Sequence, residues 1–277
     1  MKLAIRSLFL VLLLAAAPLT AANGQEQDDD FAYVLSASDQ FGTVNLETGK
    51  FQQLNPNVPL SLVGLALGPQ QTIYGLDSAN NLVTLDPATS AVTVIGNTGL
   101  PLGPGDSIAL FASLANGTLF AVDFQNFLWS VNRSTGVATE IGFTGIAVPS
   151  DFAACHCVTA NGLAGAGNEL YLSWEVVDDP FNPPISPPSP SDVPSTLYRI
   201  NPHTGAAHRV GLTKSAAPIV GLGFVEDTLY GFTLGFVVGE PNRILEISRR
   251  TGNATVVTDQ DPNLDPVFAA IPVPNED

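Results

Sequence analysis

Apolar and polar residues alternate along most of this chain in short runs, each closed by Gly, Asn, Asp or Pro. Alternation at a period of two reads as half-buried strands separated by tight turns. One phrase recurs five times: an apolar run, a small polar residue, a Thr-Gly or its equivalent, then a second β-branched run. It reads FGTVNLETGKFQQL from Phe41, LVTLDPATSAVTVIG from Leu82 and LWSVNRSTGVATEIG from Leu128. It returns as LYRINPHTGAAHRVG from Leu197 and ILEISRRTGNATVV from Ile244. Asp86-Pro87 and Asn201-Pro202 put an acceptor side chain and a pre-set φ at the turn start. Gly49, Gly136, Gly205 and Gly252 supply the positive φ that closes each hairpin, with Ser90 in that place in the second copy.

A second hairpin precedes the phrase in each later copy: LVGLAL then TIYGLDS, IALFASL then TLFAVDF, CVTANGLA then ELYLSWE, IVGLGF then TLYGFTL. The landmark threonines Thr48, Thr89, Thr135, Thr204 and Thr251 are 41, 46, 69 and 47 residues apart. Four short strands in a unit of this length are the signature of a propeller blade. The expected architecture is all-β, a five-bladed β-propeller. Six blades would require the long fourth unit to hide another, and its excess, residues 178–195, is rich in proline. Proline lacks the ladder donor, so that stretch reads as a loop between the second and third strands of blade four. It is either a solvated polyproline-like excursion or a recognition flap.

The first copy begins at FAYVLSAS, which matches a second strand, and lacks a first one. PVFAAIPV near the C-terminus has the small-apolar character of the missing strand. Pairing the two would close the ring with strands from both termini and remove a sheet edge. The propeller domain is thus expected over 31–273, after an acidic flexible segment at 23–30 and before a tail at 274–277.

The phrase L-[WY]-x-[IV]-N-x-x-T-G-x-x-x-x-[IV]-G, as in LWSVNRSTGVATEIG, resembles secreted bacterial propellers of the quinoprotein-like and YVTN-like group, mostly of unknown function. The resemblance covers most of the chain, but it is one of repeats, and repeats specify fold rather than activity. Relatives that bind pyrroloquinoline quinone use a tryptophan docking motif in each blade and a vicinal cysteine pair. This chain has two tryptophans, Trp129 and Trp174, and His156 separates its cysteines. The resemblance therefore does not imply that cofactor.

Charge narrows the class of partner. Lys2 and Arg6 precede an apolar run from Leu8 to Ala17, too short to span a bilayer, and small residues follow. Residues 1–22 read as a secretory signal peptide, giving a secreted or periplasmic product with no membrane insertion. Losing Lys2 and Arg6 would take the formal charge from -16 to -18. So acidic a surface disfavours nucleic acid and anionic membranes. The expected partner is a protein, a small molecule or a cation, and the expected state is a monomer.

Candidate chemistry is sparse. Cys155-His156-Cys157 lacks the Cys-x-x-Cys-His order of c-type haem attachment. On a strand, Cys155 and Cys157 share a face near the upper limit for a bridge, so buried thiols and a local disulfide both stay open. A metal or redox role is the other reading, and a complete metal site would need His203 or His208 from the outer hairpin of the same blade. No Gly-x-Ser-x-Gly elbow, Walker loop or dinucleotide glycine motif occurs. Asn116, Asn132 and Asn253 begin glycan-acceptor triplets that read as well as turn chemistry.

A distributed pattern is more informative. In a meander, loops after each second strand open on one face and the Thr-Gly turns on the other. The first face receives Asp39, Asp77, Asp123 and Glu175, with Asp106, Asp151 and Asp265 ahead of inner strands. The other receives Lys50, Arg133, His203, Arg249 and Arg250. The function expected is a non-catalytic binding or scaffold module with its ligand on the acidic face near the channel. No cofactor is implied, but a divalent cation held by Asp77, Asp106, Asp123, Asp151, Glu175 and Asp265 would be calcium by its oxygen ligands. A cation-dependent hydrolase or lactonase would gather several of these around one ion. A lectin-like repeat binder would instead show similar residues in equivalent loops.

Overall fold

A computed structural model of the chain describes residues 30–55, 61–101, 110–147, 157–178, 193–215, 217–235 and 241–274. β1 (Phe31–Ser36), β2 (Phe41–Asn45) and β3 (Phe51–Asn55) belong to blade one. Blade two holds β4 (Leu62–Leu67), β5 (Ile73–Asp77), β6 (Asn81–Leu85) and β7 (Val92–Asn97). Blade three follows with β8 (Leu110–Ser113), β9 (Leu119–Val122), β10 (Phe127–Val131) and β11 (Ala138–Phe143). Blade four comprises β12 (Cys157–Ala166), β13 (Glu169–Asp178), β14 (Val193–Ile200) and β15 (Ala207–Leu212). Blade five comprises β16 (Ile219–Val225), β17 (Thr228–Thr233), β18 (Arg243–Ile247) and β19 (Ala254–Asp259). The last strand, β20 (Val267–Pro272), returns to β1.

These five antiparallel sheets form a five-bladed β-propeller. The inner strands β4, β8, β12, β16 and β20 pack side by side in a closed ring. Closure uses both ends of the domain: β20 pairs antiparallel with β1 from Ala32 opposite Pro272 to Ser36 opposite Val267. The Ala37 N–H extends the seam to the Pro266 carbonyl at 2.9 Å. β13 runs to Asp178 and β14 starts at Val193, so the proline-rich insertion lies between second and third strands. Its residues 179–192 are outside the described residues, as are 1–29 and 275–277.

Burial falls from axis to rim. Every residue of β16 is buried, whereas β7, β11 and β15 alternate only between half-buried and exposed. There is no single central core. Five apolar clusters form instead, each between neighbouring blades. Strand alternation sorts side chains between them: Leu170 and Leu172 face blade three, while Tyr171 between them faces blade five.

The repeated phrase supplies the fastening between blades. Gly136, Gly205 and Gly252 take φ of 81°, 79° and 80°, and Ser90 takes 56° in the equivalent turn. The glycine at the end of the phrase has a different duty. A Cβ on Gly211 would sit 2.0 Å from the Thr251 carbonyl oxygen, so blade five's turn can rest directly on blade four's outer strand. Gly96 against Thr135 and Gly142 against Thr204 repeat the contact at 2.3 and 2.7 Å. Beside it, the N–H groups of Ala138, Ala207 and Ala254 donate to the carbonyls of Thr98, Thr144 and Thr213.

Candidate functional site

The acidic residues after the second strands are occupied locally. Asp77 is buried, and its Oδ1 accepts the N–H groups of Ala79 and Asn81 at 2.9 and 2.7 Å. Its Oδ2 takes the Asn81 Nδ2 at 2.9 Å. Asp123 repeats the arrangement with the N–H groups of Gln125 and Phe127, both at 2.9 Å, and with Trp129 Nε1 at 2.9 Å. Each carboxylate thereby satisfies the donors of a turn whose fourth residue, Asn80 or Asn126, has positive φ. In blade one the Ser36 hydroxyl accepts the N–H groups of Ser38 and Gln40 in the same place.

The other acidic candidates that are described have local partners of their own. Asp265 Oδ2 accepts from the Ser38 hydroxyl, and its own N–H donates to Gln40 Oε1 at 2.9 Å. Glu175 falls within β13, opposite Ala160, where the β13–β14 register shifts, rather than in a loop. Asp39 has positive φ and accepts from the Ser61 hydroxyl at 3.3 Å. Asp106, Asp151, Cys155 and His156 lie outside the described residues, and Cys157 opens β12. Among the described residues, no three His, Cys, Asp or Glu side chains gather as a metal-ion site would require.

The opposite face carries a groove between blades four and five. Register builds its floor: Tyr171 of β13 pairs with Arg199 of β14, and Arg199 pairs with His208 of β15. The row lies on the face of blade four that meets blade five, and Glu169 joins it two residues before Tyr171. A register shift after Leu197 brings Arg209 to the same opening. Blade five contributes Ser248, Arg249 and Arg250 from its Thr-Gly turn. The open groove they line has a volume of about 720 Å³, and Arg199, His208, Arg209, Arg249 and Arg250 are all exposed. A second cavity of about 260 Å³ adjoins it, shares Glu169, Arg199 and His208, and extends to Asn201 and His203.

One carboxylate orders this floor. Glu169 Oε1 takes Arg199 Nη1 at 2.9 Å, and Oε2 accepts the Tyr171 hydroxyl at 2.8 Å. The hydroxyl first, then the Arg199 guanidinium and the more distant charge of Arg249, hold the Glu169 carboxyl below its ordinary range. Burial first, and the Glu169 carboxylate second, push the Tyr171 phenol up to about 12. The Arg249 guanidinium lies 5.6 Å over the Phe224 ring, which packs on Tyr171 at 5.7 Å. Arg209, Arg249 and Arg250 make no ion pair with a described residue.

This row differs from its equivalents. The Tyr171, Arg199 and His208 positions are Tyr74, Thr84 and Thr93 in blade two and Phe120, Ser130 and Thr139 in blade three. In blade five they are Tyr230, Glu246 and Thr255. The aromatic second-strand residue repeats because it packs between blades. The cations do not repeat. Arg249 and Arg250 lay among the basic-face residues legible in sequence, whereas Arg199 and Arg209 required the register.

Fold and groove define a five-bladed β-propeller with an inter-blade groove whose cationic row is not repeated in blades two, three and five. No protein-family model and no curated protein matches the chain, so its likeness to quinoprotein-like and YVTN-like propellers rests on the repeat phrase. Among solved structures, it is similar to the extracellular domain of a hybrid two-component system from B. thetaiotaomicron. That match has 13% identity and a TM-score of 0.41, covering 87% of this chain and 28% of the other. The chain thus spans under a third of the length of that solved extracellular chain. No described helix is long and apolar enough to cross a membrane.

Proposed function

We propose that this chain is an exported binding module, without catalysis of its own, whose ligand occupies the groove between blades four and five. The observation that carries the reading is the break in repeat symmetry. A scaffold needs only the packing residues that recur from blade to blade, yet here arginine and histidine replace small polar residues around one opening. Its volume of about 720 Å³ is in the range of small-molecule sites, and it opens to solvent along exposed arginines. The unlike rows count against a repeat binder with one site per blade. Lys2 and Arg6 ahead of the apolar run to Ala17 support export.

Thermal unfolding in a panel of citrate, inorganic phosphate, sulfate, glucose, spermidine and calcium chloride tests the site. The reading expects at least one member to raise the Tm of the wild-type chain, and Arg209→Glu with Arg250→Glu to cancel that rise. Stabilisation by calcium that survives both substitutions would move the ligand to the acidic mouth. A panel in which no response depends on the two arginines would overturn the groove as the binding site.

A further inference from the structure

We infer that the groove takes a small anion with at least two separated anionic groups, clasped by Arg209 of blade four and by Arg250 of blade five. The inference rests on the groove being the ligand site and adds the class of ligand. It begins from charge. Asp and Glu outnumber Lys and Arg by 26 to 10 in this chain, so an arginine has many carboxylates available to it. Four of those ten cations nevertheless line one cavity, with Glu169 as its single carboxylate.

Glu169 is committed to Arg199 and Tyr171 through both oxygens, so Arg199 is neutralised and fixed in place. Arg209, Arg249 and Arg250 are left without an ion-pair partner among the described residues. Three guanidinium groups lining one opening repel one another through the solvent, and an anion among them relieves that repulsion while accepting forked hydrogen bonds. Arg249 is braced over Phe224, leaving its N–H edges to donate. The free cations stand on two sides of the opening, Arg209 on β15 and Arg249 and Arg250 on the facing turn. A ligand with one anionic group reaches one side. A ligand with two bridges the blades.

The formal charge of -16 sets an upper limit on ligand size. A long polyanion that leaves the groove meets repulsion from the rest of the surface, whereas a compact one stays inside the local positive field. Carboxylate and phosphate share this chemistry, and the arms of the test separate them.

The test is titration calorimetry of the full folded chain at fixed ionic strength with citrate, pyrophosphate, acetate and inorganic phosphate, and with glucose, spermidine and a single-stranded oligonucleotide as contrasts. Citrate or pyrophosphate should bind at least about tenfold more tightly than acetate or phosphate, the gain of one additional charge-assisted contact. Whichever of the two is tighter identifies carboxylate or phosphate as the preferred group. Arg209→Gln should reduce the multivalent ligand to the affinity of its monovalent counterpart. Arg133→Gln, at the Arg249 position of the blade-three turn but outside the groove, should leave affinity within twofold. Equal binding of monovalent and multivalent anions would overturn the inference yet leave the groove as an anion site. An equal loss in the Arg133 variant would overturn the groove as the anion site, and tighter binding of a single-stranded oligonucleotide than of citrate would overturn the compact ligand. Binding of glucose or spermidine at the groove, with no anion bound, would overturn the ligand class and keep the site.

Discussion

The Tyr171 hydroxyl donates to Glu169 Oε2 at 2.8 Å while the other oxygen of that carboxylate holds Arg199 at 2.9 Å. Two neighbouring strands are tied at the groove floor by one side chain. The phenol lies at about 12 in the folded chain against 10.0 when unperturbed. Between those values the unfolded chain releases the proton and the folded chain keeps it. Stability from this group is therefore fully present below pH 10 and is lost as pH rises to about 12. Urea midpoints measured across that interval should fall less steeply for Tyr171→Phe than for wild type. Identical slopes would mean that the phenol is not held in its protonated form.

Glu169 has the opposite sign. Its folded pKa is lowered from 4.5, so its contribution is present above that value and lost as pH falls below it. Both partners are substantially exposed, so the effect on global stability is small. Glu169→Gln should flatten the acid limb slightly and, by freeing Arg199, tighten citrate binding at neutral pH. Weaker citrate binding in that variant would contradict the assigned role of the carboxylate as an internal competitor.

Asp77 separates turn-building from metal binding. Its three accepted hydrogen bonds make Asp77→Ala costly, by about 1–3 kcal/mol for buried donors left unpaired. The loss should be the same in calcium and in chelator. A loss confined to calcium-containing buffer would restore Asp77 as a cation ligand.

The inter-blade fastening is tested at two glycines. At Gly211 a methyl group meets the Thr251 carbonyl oxygen at 2.0 Å, and both partners are backbone, so blades four and five must separate. Gly211→Ala should destabilise by about 1–3 kcal/mol. Gly145→Ala meets nothing within 4 Å and carries only the strain of its φ of +82°, about 1 kcal/mol. A larger loss at Gly145 than at Gly211 would refute the close contact between turn and strand.

Strand pairing was readable because each Thr-Gly phrase names a turn and the runs beside it name two strands. The surplus PVFAAIPV run likewise named its partner, since only the first copy lacked an inner strand. The groove was harder to see because Tyr171, Arg199 and His208 meet only through the register of three strands, with a shift after Leu197 that also admits Arg209. The duty of Asp77 and Asp123 had a signal in Asp77-Ser-Ala-Asn80 and Asp123-Phe-Gln-Asn126. An acceptor followed three residues later by a residue suited to positive φ is turn chemistry, and both turns use it. Carboxylates are abundant throughout so acidic a chain and single out no place in it, whereas four of its ten cations line the groove.

Ring closure gives a direct structural test. Removing residues 266–277 deletes β20, leaves β1 with an unpaired edge and opens the cluster around Val34, Val267 and Ala270. The truncated chain should unfold at a markedly lower urea concentration. An unchanged midpoint would mean that β20 does not close the ring.

Hydrogen exchange of the whole chain with and without citrate tests the central claim, that the ligand site is the groove, most directly. Citrate should slow exchange at Ser248–Arg250 and along β15, where blades four and five meet. Protection appearing instead at Asp77–Asn81 and Asp123–Phe127, or at neither place, would contradict it.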